Sequence, residues 1–518
     1  MTIKRLILIF LTVLAVGRIA LALTASFSEP QVQAQLELYQ TDLVLRAAEW
    51  QPAADSPFQR PDLRQALLGA DPYGKAQKQY EQARGQVQAE QAQLAAQLAA
   101  AGETKLLGQP VTTLQLSPEA VQAVQAQQGR LQRRQAQLDL EIGLLQAEQA
   151  NETAAQATWG QVAAQGPTEA LMATAEVLQA LWNEPPQVTA RAESAIEANL
   201  HGWFRDRARR RLYRARDQPE ALAALLQAQQ QAAQRAVVKL LVVGTVPLLG
   251  GLLGVGLAIV LLLQWAFQRE TAILARNAES VWSVPWDGET AWQVIIVGFC
   301  FWGQFVLPLL LPLAVSVLGL SLGQADVRLR AVYILISYLL LAAGALGVLY
   351  GSIRAYRPLP PDWFRLRGWS SWPLWGLGGY LIAVPLVLVV SLLNQQLWQG
   401  RGGSNPLILL ALQAQDQVAL AIFFGTAAIA APLFEELIFR GFLLPSLTRY
   451  LSVTPAILVS SLIFAIAHLS LAEVLPLLAL GLVLGVVYTR SRSLLAPMLL
   501  HSLWNSGTLV SLFVLGSG

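Results

Sequence analysis

The sequence predicts an all-α membrane protein: a polytopic helical bundle of about eight C-terminal spans plus one N-terminal span, joined to an extramembrane, coiled-coil-like helical domain. The 518 residues are 54% hydrophobic and only 13% charged, whereas an average soluble domain has about 25% charged residues. Apolar runs of roughly the twenty residues that cross a bilayer recur after residue 236. Between about residues 28 and 234 the chain is instead rich in Ala, Gln, Glu and Leu, which favour helices.

Composition divides the chain into four regions. The first is an apolar stretch after Lys4 and Arg5, as in a signal peptide or a first membrane helix, and we expect an uncleaved span. The regions are residues 1–27, an N-terminal membrane anchor or signal; 28–235, an extramembrane helical domain; 236–400, transmembrane helices; and 401–518, a core that carries the polar motifs.

The 28–235 domain shows Leu and Ala at three- and four-residue intervals, which predicts helices. Gly102 and the stretch Leu107–Pro118 separate two of them, so we expect an antiparallel helical hairpin. The basic cluster Arg205–Arg211 could touch anionic lipid or a protein partner, although a solvated helix face is the commoner role of such a cluster. Further helices are predicted at 168–183, 187–216 and 218–235.

Eight spans are predicted after residue 236, at 237–264, 292–319, 331–351, 373–394, 406–437 (with a break near Gln413–Gln417), 454–471, 474–489 and 494–515. With these spans, the arginines of three loops lie on the same side as Lys4 and Arg5. The positive-inside rule assigns that side to the cytoplasm. We therefore expect a cytoplasmic N-terminus and place the 28–235 domain on the periplasmic or lumenal side. The loop arginines are Arg354, Arg357, Arg365, Arg367, Arg449, Arg490 and Arg492.

Several function classes are disfavoured by the residue counts. The net charge of +3 gives no indication of nucleic-acid binding. The single cysteine, Cys300, allows no intrachain disulfide and no zinc site built on cysteines. Only three histidines occur, and two of them, His468 and His501, lie in apolar C-terminal segments.

Two carboxylates and an arginine close an apolar run of about fifteen residues: Glu435, Glu436 and Arg440. An intramembrane charge costs roughly 3 kcal/mol or more unless it is paired or functional. On a helix, Glu436 and Arg440 are four residues apart and can form a salt bridge. Glu435 points about 100° away from Glu436, so it remains free for another role.

Two further polar pairs follow on later apolar segments. Phe464 precedes His468 by four residues, and His501 precedes Asn505 by four, so each pair shares a helix face. A carboxylate and an imidazole can hold a water and take its proton, while a second imidazole and an amide can stabilise an oxyanion. The same side chains could instead bind zinc through two histidines and one glutamate. The sequence leaves both chemistries open.

The order Glu-Glu-x-x-x-Arg, Phe-x-x-x-His, His-x-x-x-Asn resembles the CPBP family, the CAAX prenyl endopeptidase type II and bacteriocin-processing intramembrane proteases also called ABI proteins. The resemblance covers about residues 415–510. It implies that Glu435 activates water with the aid of His468. It further implies that His501 and Asn505 form the oxyanion site, and that Glu436 and Arg440 organise the active-site helix.

The resemblance also bears on cofactors and partners. Family members were long classed as metalloproteases, but a metal-free glutamate mechanism is better supported for the prenyl endopeptidase. We therefore expect no required cofactor, with zinc as the alternative on Glu435, His468 and His501. The expected partners are the lipid bilayer and a membrane protein or peptide substrate. The competing hypotheses are a non-catalytic scaffold, immunity or chaperone-type protein of the same fold and, less favoured, a proton-coupled transporter.

Overall fold

Helices make up almost all of the described chain, which confirms the predicted all-α class. The computed structural model describes residues 2–27, 29, 31, 33–52, 60–102, 105–106, 109–110, 118–319, 326–366, 371–398, 400–405, 410 and 416–516. The chain forms two compact units, one of Met1–Gln33 with Val243–Ser517 and one of Ala34–Val242. The four regions derived from composition stay a prediction.

The first ten helices range in length from 8 to 50 residues. The longest has 50 residues, because the Ala- and Gln-rich segment predicted at 218–235 continues into the first apolar run without a break. The helices are α1 Ile3–Ser26, α2 Gln33–Ala48, α3 Pro61–Leu68, α4 Pro72–Gly102, α5 Pro118–Glu148, α6 Glu152–Gln165, α7 Glu169–Leu181, α8 Ala192–Asn199, α9 Gly202–Ala215 and α10 Pro219–Gln268. Two short strands, β1 Lys105–Leu106 and β2 Gln109–Pro110, pair antiparallel.

Helices α4 and α5 form the predicted antiparallel hairpin. Arg84, early in α4, pairs with Asp139, late in α5, at 3.1 Å between Nη1 and Oδ1. Gln149, just after α5, donates from Nε2 to Gln77 Oε1 at 2.6 Å. The predicted connection Leu107–Pro118 lies largely outside the described residues.

The helix predicted at 187–216 is instead two helices, α8 and α9, separated at Leu200 and His201. Gly202, the first residue of α9, has φ +58°, a conformation that side chains rarely adopt. A Cβ at this position would lie 2.5 Å from Asp42 Oδ1. That same oxygen accepts the backbone N–H of Trp203 at 3.1 Å. A side chain of α2 thus binds the first turn of α9, a contact that local helix propensity does not reveal.

The remaining helices are α11 Gly288–Val317, α12 Val327–Ile353, α13 Trp372–Trp398, α14 Gln417–Leu447, α15 Val453–Ile466, α16 Leu471–Ser491 and α17 Leu495–Gly516. Within the described residues, eight helices are long and apolar enough to cross a membrane. The prediction of a full span at 454–471 is wrong, because α15 has 14 residues and so is about 21 Å long.

Helix α14 also differs from its predicted span of 406–437. It continues through Arg440 to Leu447, because the charge of Arg440 is neutralised inside the bundle rather than ending the helix. Two π-type segments, Gly425–Ala430 and Leu437–Leu443, flank the α-helical turn that carries the glutamates. Such segments are rare and frequent at functional sites. Most of the break predicted near Gln413–Gln417 lies outside the described residues.

Several charged loops of the membrane unit lie close together at one end of its bundle. Lys4 Nζ lies 3.1 Å from Glu289 Oε1, so α1 and α11 both begin there. At that end Arg449, after α14, donates to Val284 O at 3.1 Å. Asn277 donates to the carbonyl of Arg490, in the last turn of α16, at 3.0 Å. The grouping supports the predicted arrangement of loops, and its assignment to the cytoplasm stays a prediction.

Candidate active site

The predicted salt bridge of α14 is present. Arg440 Nη1 lies 2.9 Å from Glu436 Oε1, and both side chains are 0% exposed. Arg440 also donates from Nη2 to the carbonyl of Gly481 on α16 at 3.2 Å. Gly481 allows a close approach there, since a Cβ on it would lie 2.9 Å from Ser461 Cβ on α15. The pair therefore fixes α14 against its neighbours.

His501 is the second partner of Glu436. Its Nδ1 lies 2.8 Å from Glu436 Oε1, and its Nε2 lies 4.0 Å from Glu435 Oε2. An ionised carboxylate accepts hydrogen bonds and cannot donate them, so Nδ1 carries a proton in this contact. Helix α17 thus presents the Nε2 side of the ring to Glu435.

Glu435 points away from the salt bridge, as the helical repeat predicts. Its Oε1 accepts the hydroxyl of Tyr338 on α12 at 2.9 Å. Its Oε2 is buried and has no hydrogen-bond partner among the described residues. The side chain is 15% exposed. One carboxylate oxygen is therefore anchored, and the other faces the His501 ring.

Phe464 lies at the centre of the cluster. Its buried ring is 4.5 Å from the guanidinium carbon of Arg440, as in a cation–π contact. The same ring meets the His468 ring at 4.9 Å and the His501 ring at 5.8 Å. His468 places Nδ1 2.9 Å from the carbonyl of Phe464. Because a carbonyl can only accept, Nδ1 of His468 carries a proton and, in the neutral ring, Nε2 is the acceptor.

Asn505 also contacts α14. Its Nδ2 donates to the carbonyl of Ala427, in the first π-type segment, at 2.7 Å. A side-chain amide has two N–H groups, so one remains for another acceptor. The structure therefore connects Glu435, Glu436, Arg440 and His501 directly. Phe464 joins His468 to them, and Asn505 lies on the same α14–α17 interface.

The next question is whether the side chains of the cluster are placed to bind a metal ion. Among the described residues, no group of three or more His, Cys, Asp or Glu side chains is placed to hold one. Of the three ligands predicted for zinc, Glu435 and His501 approach each other, while His468 contacts its own helix. The residues as placed do not fit that site, and the zinc alternative stays a prediction from the sequence.

Tyr338 is the site residue that sequence reasoning missed. It lies in an apolar span 97 residues before Glu435 in the chain, and no charged or histidine neighbour marks it. A hydroxyl within a membrane helix that faces a motif-bearing helix is the signal that could have found it.

The segment that carries the polar cluster is similar to known membrane proteases. Residues 417–507 match the family described as type II CAAX prenyl endopeptidase Rce1-like. The membrane-embedded CAAX protease MroQ of Staphylococcus aureus (strain USA300) is 29% identical over 137 residues, which are 25% of this chain and 54% of MroQ. The putative membrane peptidase YdiL of Bacillus subtilis (strain 168) is 29% identical over 135 residues, 26% of this chain and 53% of YdiL. The chain spans about half the length of these curated relatives, and no solved structure matches.

A multi-pass helical bundle with charged groups buried between its helices is an integral membrane protein with an intramembrane polar site. The matched segment begins with α14 and extends into α17, so it contains every predicted site residue. Through this segment the chain is similar to the CPBP family of membrane proteases. The resemblance drawn from the three motifs is confirmed.

Proposed function

We propose that the protein is an intramembrane endopeptidase in which Glu435 activates a water for attack on a peptide bond. The observation that carries the proposal is the pair of atoms Glu435 Oε2 and His501 Nε2, which face each other at 4.0 Å. The opposite atom of each group is anchored, to Tyr338 and to Glu436 respectively. The separation is too long for a direct hydrogen bond and suits a water that contacts both atoms.

The charges of the cluster support this water position. Glu435 and Glu436 are two carboxylates beside the single guanidinium of Arg440, which binds Glu436, so Glu435 has no arginine of its own. His501 bonds Glu436 through Nδ1 and directs Nε2 towards the gap. A water in the gap contacts Nε2 and donates a hydrogen bond to Glu435 Oε2, and a lone pair on the water oxygen remains for the substrate.

The reaction is then a hydrolysis without a covalent intermediate. Glu435 Oε2 takes a proton from the water as the water oxygen forms a bond to the carbonyl carbon. The π electrons of the carbonyl move to its oxygen, and N–H donors stabilise that oxyanion. When the C=O bond re-forms, the C–N bond breaks and the leaving nitrogen takes the proton from Glu435. The products are a carboxylic acid and an amine.

The other residues have supporting roles in this proposal. Asn505 and His501 are the proposed oxyanion donors: Asn505 keeps a free N–H, and His501 Nε2, which contacts the water before the attack, turns to the carbonyl oxygen once the water has bonded to the carbon. His468 offers its Nε2 as an acceptor that aids Glu435. Glu436 and Arg440 position α14 and His501 rather than meet the substrate.

The proposed setting is a multi-pass membrane protein with a cytoplasmic N-terminus and the 28–235 domain on the periplasmic or lumenal side. The grouping of Lys4, Arg449 and Arg490 at one end of the bundle supports it. The substrate is a membrane protein or peptide, and the 28–235 domain is the proposed surface for a protein partner.

The test compares new protein N-termini in membranes that contain wild type or Glu435→Gln at equal levels. We expect a defined set of membrane-protein fragments to disappear in the variant, because Gln cannot take the proton. Glu289→Gln is the matched control, since Glu289 pairs with Lys4 and Arg5 away from the cluster. Retained fragments in Glu435→Gln would overturn the proposal. If a partner then still co-purified through residues 28–235, the non-catalytic scaffold would take its place.

A further inference from the structure

Tyr338 joins the proposed catalytic site from outside the matched segment. It belongs to α12, whereas the family match covers residues 417–507. Its hydroxyl donates a hydrogen bond to Glu435 Oε1 at 2.9 Å. Among the described residues, this is the side-chain hydrogen bond that Glu435 accepts. The ring packs edge-on against Phe434, with centroids 5.9 Å apart and an interplanar angle of 85°. Packing on the residue next to Glu435 therefore fixes the direction of the hydroxyl.

We propose that Tyr338 is the positioning residue of the catalytic glutamate: it binds Oε1, so that Oε2 is the oxygen that receives the proton from the attacking water. This inference rests on the proposed function. Without the contact, the Glu435 carboxylate could rotate about its last side-chain bond, and either oxygen could face His501. A hydrogen bond from a side chain whose own orientation is fixed removes that freedom.

The other charged and polar groups around Glu435 do not hold its carboxylate in a fixed orientation. On α14 itself, Glu436 and Arg440 bind each other. On α17, His501 contacts Glu435 only across 4.0 Å. Tyr338 therefore supplies the close contact from a third helix, and α12 becomes part of the working site although it carries no family motif.

The first test does not depend on activity. In the purified full-length protein, the infrared difference between wild type and Glu435→Gln contains the carboxylate stretch of Glu435. Tyr338→Phe keeps the ring and its packing on Phe434 but removes the hydroxyl, so we expect this band to shift. Tyr333→Phe is the matched control, because it makes the same change on the same helix, and it should leave the band in place. An unshifted band in Tyr338→Phe would overturn the inference.

The second test separates positioning from folding. On a peptide that spans a cleavage site found in the N-terminus comparison, we expect Tyr338→Phe to lower kcat about ten- to hundredfold. KM and the melting temperature should stay near wild type, and Tyr333→Phe should match wild type throughout. A merely structural role would instead lower the melting temperature and leave kcat per folded molecule unchanged.

The outcomes also separate this inference from the proposed function. If Glu435→Gln is inactive while Tyr338→Phe cleaves at the wild-type rate, the positioning role is wrong and the proposed function stands. If Glu435→Gln cleaves as wild type does, both are wrong.

Discussion

Two groups of arginines and glutamates in this protein bury charge in different ways. The intramembrane cluster consists of Glu435, Glu436, Arg440 and His501, and its single arginine pairs with only one of its two carboxylates, Glu436. In the basic cluster Arg205–Arg211 of the Ala34–Val242 unit, by contrast, three arginines each bind a different carboxylate. Its pairs are Arg207 with Glu148, Arg209 with Glu197, and Arg210 with Glu49.

The two clusters differ in exposure as well as in balance. Glu436 and Arg440 are both 0% exposed, whereas Arg209 and Glu197 are 24% and 51% exposed. In the sequence the arginine run is the more conspicuous feature, yet most of its arginines bind a carboxylate of their own unit. The intramembrane cluster has an excess carboxylate that packing does not explain. Excess buried charge, more than charge density, marks the candidate site.

The largest effect should come from breaking the intramembrane pair. Arg440→Leu leaves the fully buried Glu436 with the His501 ring as its remaining polar partner among the described residues, and removal of one member of a buried pair costs about 3–5 kcal/mol. We expect low abundance in the membrane and a much lower melting temperature in detergent. A stable, abundant Arg440→Leu protein would show that the pair does not hold the fold.

Part of this cluster follows from the sequence. The Glu436–Arg440 pair rests on a four-residue spacing, and spacing within one helix is a property of the chain itself. The same holds for His468, whose contact is the carbonyl of Phe464 four residues earlier. The family resemblance likewise rests on local motifs, and it is confirmed.

Contacts between helices do not follow from spacing. The spacing places His501 and Asn505 on one helix face, but it does not give the contact of His501 Nδ1 with Glu436, which depends on how α17 faces α14. Tyr338 depends on the packing of α12 against α14. The short α15 was predicted as a full span, because apolar composition does not distinguish a helix buried among other helices from one that crosses the bilayer.

The Ala34–Val242 unit also contains a buried carboxyl, Glu141, which can be compared with the intramembrane cluster. Burial raises the pKa of Glu141 to about 7; Arg134 opposes the shift and Asp42 adds to it. A carboxyl with a raised folded-state pKa holds its proton more tightly when folded. Its contribution to stability is therefore fully present below the unfolded value near pH 4.5 and is lost as the pH rises towards about 7.

We therefore expect the amides of α5 to lose protection from hydrogen exchange between pH 5 and about 7.5, after correction for the intrinsic exchange rate. In Glu141→Gln, whose amide does not ionise, the protection should vary less over this range. Equal pH dependence in wild type and variant would show that ionisation of Glu141 does not destabilise α5. Glu141 would then not be comparable with Glu435, the carboxylate near His501 that has no arginine of its own.

The smallest effect should come from Arg209→Ala. Its partner Glu197 is 51% exposed, so the freed carboxylate regains water instead of remaining buried. Glu193, which Arg209 approaches at 3.8 Å, keeps Arg216 at 3.3 Å. We expect a loss of about 1 kcal/mol or less in the free energy of unfolding, smaller still in high salt. If this variant proved as harmful as Arg440→Leu, burial would not be what separates the two clusters. The excess carboxylate near His501 would then lose its value as the mark of a working site.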